Sequence, residues 1–289
     1  MTQARVDMRN VNTVRMTCEQ ATISNLTLDL DMLKPSDRAA PQAKATTSSQ
    51  PLVASDYVND GKYHLLLAAS GSVATIKLPN IIQGLAHHRN LSIRIILTEA
   101  AARFLHGQTE EQPSLDRLAK YPNVDAIYRD EDEWKNLWTR GAPILHIELR
   151  RWADLLVIAP LSANTLAKIS NGLCDNLLSS VVRAWEVLPP PGTPSNDDSS
   201  TEDMNHEAPY GQKRIVVAPA MNTAMWRHPV TAAHLQTFRH GHNQHWFDVL
   251  GPIKKELACG DTGDGAMCEW TKIVSVISVH VEMRKLRLG

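Results

Sequence analysis

Short apolar runs recur along the chain from Tyr63 onward, and helix-periodic or polar stretches separate them. The runs are HLLLAAS (64–70), SIRIILT (92–98), VDAIYRD (124–130), DLLVIAP (154–160), RIVVAPA (214–220) and WFDVLGP (246–252). Strands buried on one face alternate apolar with polar residues. These runs stay apolar, so they predict strands covered on both faces, with helices as the crossovers between them. The fold class is therefore α/β, an open parallel sheet with helices on both faces. Leu166, Ile169, Leu173, Leu177, Val181 and Trp185 step by three or four residues and predict one amphipathic helix from about 164 to 185. A closing helix is expected from Thr271 to Leu288, its basic end suited to the negative end of the helix dipole.

Two stretches break this rhythm. Residues 1–60 are rich in Thr, Ser, Gln, Asp and Ala and poor in apolar clusters, which predicts a disordered N-terminal extension before a domain over 61–289. The Pro-, Ser- and acid-rich segment PPPGTPSNDDSSTEDMNHEAPYG (189–211) reads as a surface insertion between a helix and the next strand. Long loops are cheap in closure entropy, since each doubling costs only about 0.6 kcal/mol.

Charge and cysteine usage narrow the function classes. With 30 basic and 31 acidic residues the net charge is −1, without the basic excess that nucleic acid or an anionic membrane demands. No apolar run approaches the ~20 residues that span a bilayer. The N-terminus lacks the apolar core of a secretory signal, and Asp7 and Glu19 argue against a transit peptide despite Arg5, Arg9 and Arg15. The four cysteines, Cys18, Cys174, Cys259 and Cys268, have neither metal-type spacing nor the density of a disulfide framework. No metal site is expected, and the compartment reads as reducing, cytoplasmic with the nucleus as alternative.

Candidate chemistry gathers in three strings: PILHIELRRWADLLVIAPLSANT (143–165), VVAPAMNTAMW (216–226) and KKELACGDTGDGAM (254–267). The first two each set an apolar strand before a turn that opens a helix, the place where open α/β sheets bind ligands. AASGSVATIK adds a Gly71 turn with Ser72 as a cap for the following helix, and TEAAARF adds Thr98 after the second strand. Hydroxyl-rich strand ends without a G-x-G-x-x-G fingerprint suit a phosphorylated mononucleotide better than a dinucleotide. Each residue also has a plainer reading. Asn222 suits a helix cap, Cys174 and Cys268 suit small buried hydrophobes, Trp134, Trp138 and Trp152 suit packing, and one of Arg150 and Arg151 suits a salt bridge.

Taken in order, GSVA, TEAA, DEDEW, HIELRRWADLLVIAPLSANTLAKISNGLCDNLLSSVVRAW, APAMNTAMW and KKELACGDTGDGAM closely resemble the phosphopantothenoylcysteine decarboxylases, homo-oligomeric flavin-containing cysteine decarboxylases. The resemblance covers about Tyr63 to Gly289 apart from the insertion. It implies a flavodoxin-like (Rossmann-like) domain, a homotrimer with FMN bound between subunits, and decarboxylation of 4'-phospho-N-pantothenoylcysteine to 4'-phosphopantetheine in coenzyme A synthesis. Carried over by position, it implies that His146 and Cys259 are catalytic, Cys259 as the proton donor of the final reduction. Asn222 then holds the substrate carboxylate, with Arg151, Met225 and the main chain of Ala258 also at the substrate. Gly71, Ser72, Val73, Thr98, Ser162, Ala163, Asn164 and Thr165 fall on FMN-binding positions. Glu256 departs from the family, which often has a basic residue there.

The implied cofactor answers a chemical need. An amino-acid-derived carboxylate has no sink for the electrons that CO2 leaves behind. A flavin that takes hydride from the thiol-bearing carbon creates one, and returning the hydride afterwards leaves no net oxidation. A peptidyl-cysteine decarboxylase would stop at the ene-thiol and lacks the ACGD loop, and a flavin prenyltransferase would not carry the His/Asn/Cys set. A regulatory subunit of a protein phosphatase is the rival of a different class, with the phosphatase as partner. The basic C-terminal EMRKLRLG and the retention of both His146 and Cys259 favour the enzyme.

Overall fold

All six apolar runs form strands of one parallel sheet. The computed structural model describes residues 51–135, 137–186, 213–239, 246–256 and 262–288, all within one compact unit, Ala43–Gly289. Its first half runs β1 (Tyr63–Ala69), α1 (Leu78–Gly84), β2 (Leu91–Leu97), α2 (Glu99–Ala102), α3 (Leu115–Leu118), β3 (Val124–Tyr128), α4 (Asp130–Glu133) and α5 (Leu145–Trp152). There follow β4 (Leu155–Leu161), α6 (Ala163–Ser170), α7 (Leu177–Arg183), β5 (Arg214–Pro219), α8 (Thr223–Arg227), α9 (Pro229–Arg239) and β6 (Phe247–Val249). A two-stranded antiparallel hairpin, β7 (Ile253–Glu256) with β8 (Thr262–Ala266), precedes the closing helix α10 (Trp270–Leu288).

The strand order is β3-β2-β1-β4-β5-β6, so the chain reverses direction across the sheet between β1 and β4. The pleat sends alternate residues to opposite faces. Leu65, Leu67, Leu155 and Val157 pack on one face with Ile81 and Ile82 of α1 and Ile273 and Ile277 of α10. Leu66, Leu156 and Ile158 pack on the other with Leu149 of α5, Leu166 of α6, Val181 of α7 and Phe238 of α9. Two covered faces explain why the strands lack alternation. Each fully buried Leu or Ile stabilises the fold by about 1.5–3 kcal/mol relative to exposure. Among the described residues no helix is long and apolar enough to cross a membrane.

Four expectations need correction. The helix expected over 164–185 is two helices: Gly172 sits at φ +72°, a left-handed conformation that ends α6. Asn176 then opens α7 by accepting the Ser179 N–H at 2.8 Å in a capping box, and Leu173 is left exposed. Order begins before residue 61, because Leu52 and Ala54 are buried and the Ala54 N–H donates to Glu148 Oε2 at 2.7 Å. Residues 1–50 and the insertion at 189–211 lie outside the described residues. Trp152 packs as expected, whereas Trp134 and Trp138 are exposed. Cys268 is buried but Cys174 is exposed.

The two thiols should therefore differ in reactivity. Burial pushes the Cys268 thiol up to about 11, and the thiolate is the reactive form. In a thiol-reagent titration of the native protein, Cys174→Ser should remove one rapidly reacting equivalent and Cys268→Ser none. Rapid labelling of Cys268 without unfolding would contradict this packing.

Candidate functional site

The carboxyl ends of β1, β2, β4 and β5 are built from polar residues that start helices. Thr98 caps α2 by accepting the Ala101 N–H at 3.3 Å, and Ser162 caps α6 by accepting that of Thr165 at 3.3 Å. The Ser162 hydroxyl also donates to Thr165 Oγ1 at 3.2 Å, so both side chains are held while buried. Across the switch point, Ser70 Oγ donates to the Pro160 carbonyl at 3.0 Å and accepts the Ser162 N–H at 2.8 Å, locking the ends of β1 and β4 together. Gly71 is obligatory here: a Cβ on it would stand 2.7 Å from Ala100 Cβ at the start of α2. Ser72 does not cap the next turn as expected, since its side chain makes no cap hydrogen bond. Val73, Ala163 and Asn164 lie in the same turns, and Asn164 is exposed at the opening of α6. The result is an edge lined by hydroxyls and helix-start N–H groups, a donor set for phosphate and sugar oxygens.

His146 reaches the same edge from another direction. Helix α5 ends two residues before β4 begins, so it runs back along the sheet and its first turn lies at the carboxyl edge. Helix α4 leaves from that edge at the end of β3. Glu133, the last residue of α4, spans the two: Oε1 stands 2.7 Å from His146 Nδ1 and Oε2 accepts the His146 backbone N–H at 3.2 Å. The Glu133 side chain is 3% exposed and that of His146 24%. Sequence reading missed Glu133 because it closes an acidic run, DEDE, that passes for a solvated face. Beside it, burial pushes the carboxyl of Asp130 up, opposed by the N–H of Leu177, which donates to its Oδ1 at 3.1 Å.

At the end of β5, Asn222 caps α8: Oδ1 accepts the Met225 N–H at 2.8 Å. Both roles foreseen for Asn222 are compatible, because the cap engages only the oxygen and, among the described residues, leaves the amide NH2 free to donate. Strand β8 lies directly on this turn. The Gly265 carbonyl accepts the Met221 N–H at 2.9 Å, and Arg227 pairs with Asp264 at 3.0 Å. Gly265 sits at φ +111°, and a Cβ there would come within 2.6 Å of the Met221 carbonyl. The hairpin that flanks ACGD is thus seated against the Asn222 turn through Gly263 and Gly265. Ala258 and Cys259 lie outside the described residues. Met225 is exposed beside Asn222. Arg151 stands apart: five residues beyond His146, it lies ~140° around the helix and pairs with Glu148 at 2.9 Å. Arg150 pairs with Glu186 at 3.0 Å.

The flavoprotein family model matches residues 53–282. The chain belongs to the flavoprotein family. This flavoprotein is 42% identical over 221 residues to a phosphopantothenoylcysteine decarboxylase of Arabidopsis thaliana, covering 76% of this chain and 86% of that protein. It is 41% identical over 228 residues to a probable thymidylate synthase of Schizosaccharomyces pombe, covering 79% of this chain but only 31% of that longer protein. Among solved structures it resembles a cysteine-to-serine variant of PPC decarboxylase complexed with pantothenoylaminoethenethiol, with TM-score 0.58 and 41% identity over 76% of this chain and 99% of that one. It also resembles the FMN-binding protein AtHal3, with TM-score 0.56 and 40% identity over 77% of this chain and 98% of that one.

Proposed function

We propose that this flavoprotein is the FMN-dependent decarboxylase that converts 4'-phospho-N-pantothenoylcysteine to 4'-phosphopantetheine in coenzyme A synthesis. The observation that carries the reading is the composition of the sheet's carboxyl edge. A cation-poor set of hydroxyls and amides, a buried-carboxylate–imidazole pair and an unengaged carboxamide stand at the ends of neighbouring elements. Gly71, Ser72, Val73, Thr98, Ser162, Ala163, Asn164 and Thr165 fit the phosphate and ribityl oxygens of FMN, with the Thr98 and Ser162 hydroxyls already held by their caps. When bound, FMN supplies reversible hydride acceptance from the thiol-bearing carbon.

The protein's own residues position the substrate and move protons. The free amide of Asn222 donates to the substrate carboxylate and orients it without the ground-state stabilisation a cation would give. His146 Nε2, directed outward by the Nδ1 contact to Glu133, takes the proton of the substrate thiol as its carbon is oxidised. Cys259, carried between strands seated on the Asn222 turn, returns a proton during the closing reduction, with the main chain of Ala258 and the side chain of Met225 beside the substrate. A cysteine-to-serine variant of PPC decarboxylase complexed with pantothenoylaminoethenethiol, an ene-thiol, supports this role for Cys259.

Assembly as a homotrimer is part of the proposal. Directly after Glu133, Trp134 is 75%, Leu137 99% and Trp138 57% exposed, an apolar patch that a neighbouring subunit would cover. Arg151 belongs to this shared environment, since within one chain it turns away from His146. The free thiols of Cys174 and Cys268 support a reducing compartment, the cytosol. Sedimentation of the holoprotein with and without Trp134→Glu tests the assembly. A trimer that dissociates in the variant is expected; a fully active wild-type monomer would refute it.

Asn222→Asp separates capping from binding. Asp caps as well as Asn, so the melting temperature should hold. A second carboxylate about 4 Å from the substrate's own costs ~1 kcal/mol in a water-like medium and ~4 kcal/mol at the effective dielectric of a protein surface. Steady-state kinetics should show kcat/KM down by roughly 5-fold to 10³-fold. Unchanged kcat/KM would remove Asn222 from the carboxylate site.

A further inference from the structure

The Glu133–His146 contact fixes more than a ring orientation. A glutamate has acceptors only, and both oxygens of this one meet nitrogen atoms of a single residue: His146 Nδ1 at 2.7 Å and the His146 backbone N–H at 3.2 Å. The backbone N–H is always a donor. A carboxylate oxygen facing Nδ1 requires a proton on Nδ1, which leaves Nε2 as the acceptor of the neutral ring. The carboxylate is withdrawn from water and its partner is partly exposed, so the carboxylate sits on the buried side of the imidazole and Nε2, across the ring from Nδ1, faces away from it.

We propose that Glu133 is a positioning residue for His146, holding it as the Nδ1–H tautomer so that Nε2 is free to take up the proton that the substrate releases. The negative charge of Glu133 then also faces the imidazolium that forms. This rests on the decarboxylase reading for the identity of the proton, but the tautomer itself does not. Chain order hides the pair, because its two members are 13 residues apart and come together only when α4 and α5 meet at one end of the sheet.

Glu133→Gln gives a sharp test. Glutamine has one acceptor and one donor group. Satisfying the fixed backbone N–H uses the acceptor and turns the NH2 toward Nδ1, which must then lose its proton to Nε2. The substitution thus inverts the tautomer with little change of shape. In holoprotein carrying nitrogen-labelled histidine, with the His146 signals assigned by their loss in His146→Asn, the wild type should show a protonated Nδ1 and an unprotonated Nε2. Glu133→Gln should show the reverse. Its kcat should fall between the ~10–100-fold typical of losing the partner that orients a metal-ligating imidazole and the ~10⁴-fold seen where a neutralised carboxylate leaves the wrong tautomer, with KM little changed. Glu133→Asp should recover part of kcat and keep the Nδ1 proton.

A wild-type ring protonated on Nε2 overturns the assignment by itself, even if Glu133→Gln fails to fold. So does a Gln variant that keeps the Nδ1 proton, or one that loses activity only through KM. If the wild type proves unable to decarboxylate, the decarboxylase reading fails, and the tautomer signals still decide the role of Glu133.

Discussion

His146→Asn should release no measurable CO2 from 4'-phospho-N-pantothenoylcysteine while keeping FMN bound. Asparagine preserves the size and hydrogen-bonding character of the residue but has no nitrogen that can accept a proton. Glu133 keeps its bond to the backbone N–H of residue 146 and meets the new carboxamide, so the first turn of α5 should persist. The edge proposed to hold FMN, with Gly71, Thr98 and Ser162, involves no bond to His146 among the described residues. Removing a general base costs about 10²–10⁴-fold, and here the loss falls before CO2 can depart, so no later step compensates. A CO2 trap and the visible flavin spectrum read the result together. No CO2 and no substrate-induced bleaching are expected, with the melting temperature near wild type. CO2 release at more than a tenth of the wild-type rate would show that His146 is not the proton acceptor.

The second large effect separates the two halves of the reaction. Cys259→Ser should oxidise and decarboxylate the substrate, then stall. A serine hydroxyl is a far weaker acid than a thiol, whose ordinary value is about 8.5, so the proton needed at the closing reduction is not delivered. Mass spectrometry should find an ene-thiol two hydrogens lighter than phosphopantetheine, with flavin absorbance bleached in anaerobic single turnover. The two variants fail on opposite sides of CO2 loss, so equal amounts of CO2 and ene-thiol from Cys259→Ser, beside neither from His146→Asn, fix the order of events. Phosphopantetheine at the wild-type rate from Cys259→Ser would mean that another group is the donor.

What could be read from the chain follows the range of the interactions involved. Strands buried on both faces announce themselves by local composition, and the six runs mark β1–β6 closely. The break at Gly172 was not legible in the apolar spacing, because Leu173 continues the stripe in sequence while standing in solvent. Only the αL glycine and the Asn176 cap, both backbone features, mark it. The hairpin β7–β8 was hidden for a different reason. IKKE and TGDGA contain almost nothing apolar, and the pair is held by its own ladder and by glycines pressed on the Asn222 turn. Thr98, Ser162 and Asn222 were visible as strand-end polar residues, and the structure explains why such residues suit a ligand edge. Each spends its oxygen on a helix start; among the described residues Thr98 and Asn222 keep a donor in hand, while the Ser162 hydroxyl donates to Thr165 Oγ1. The pairing of Arg151 with Glu148 is a local i,i+3 pattern within α5, whereas the role of Glu133 depends on a neighbouring helix and no pattern within its own segment foretells it.

The central claim is a complete, redox-neutral decarboxylation rather than fold membership. Its most direct test supplies wild-type holoprotein with 4'-phospho-N-pantothenoylcysteine labelled at the carboxyl carbon and follows labelled CO2, thiol product and flavin absorbance over many turnovers. Labelled CO2 and 4'-phosphopantetheine should appear in equal amounts, with the flavin oxidised again at the end and no added reductant consumed. An ene-thiol as the final product, or a substrate that binds and keeps its labelled carboxylate, would contradict it.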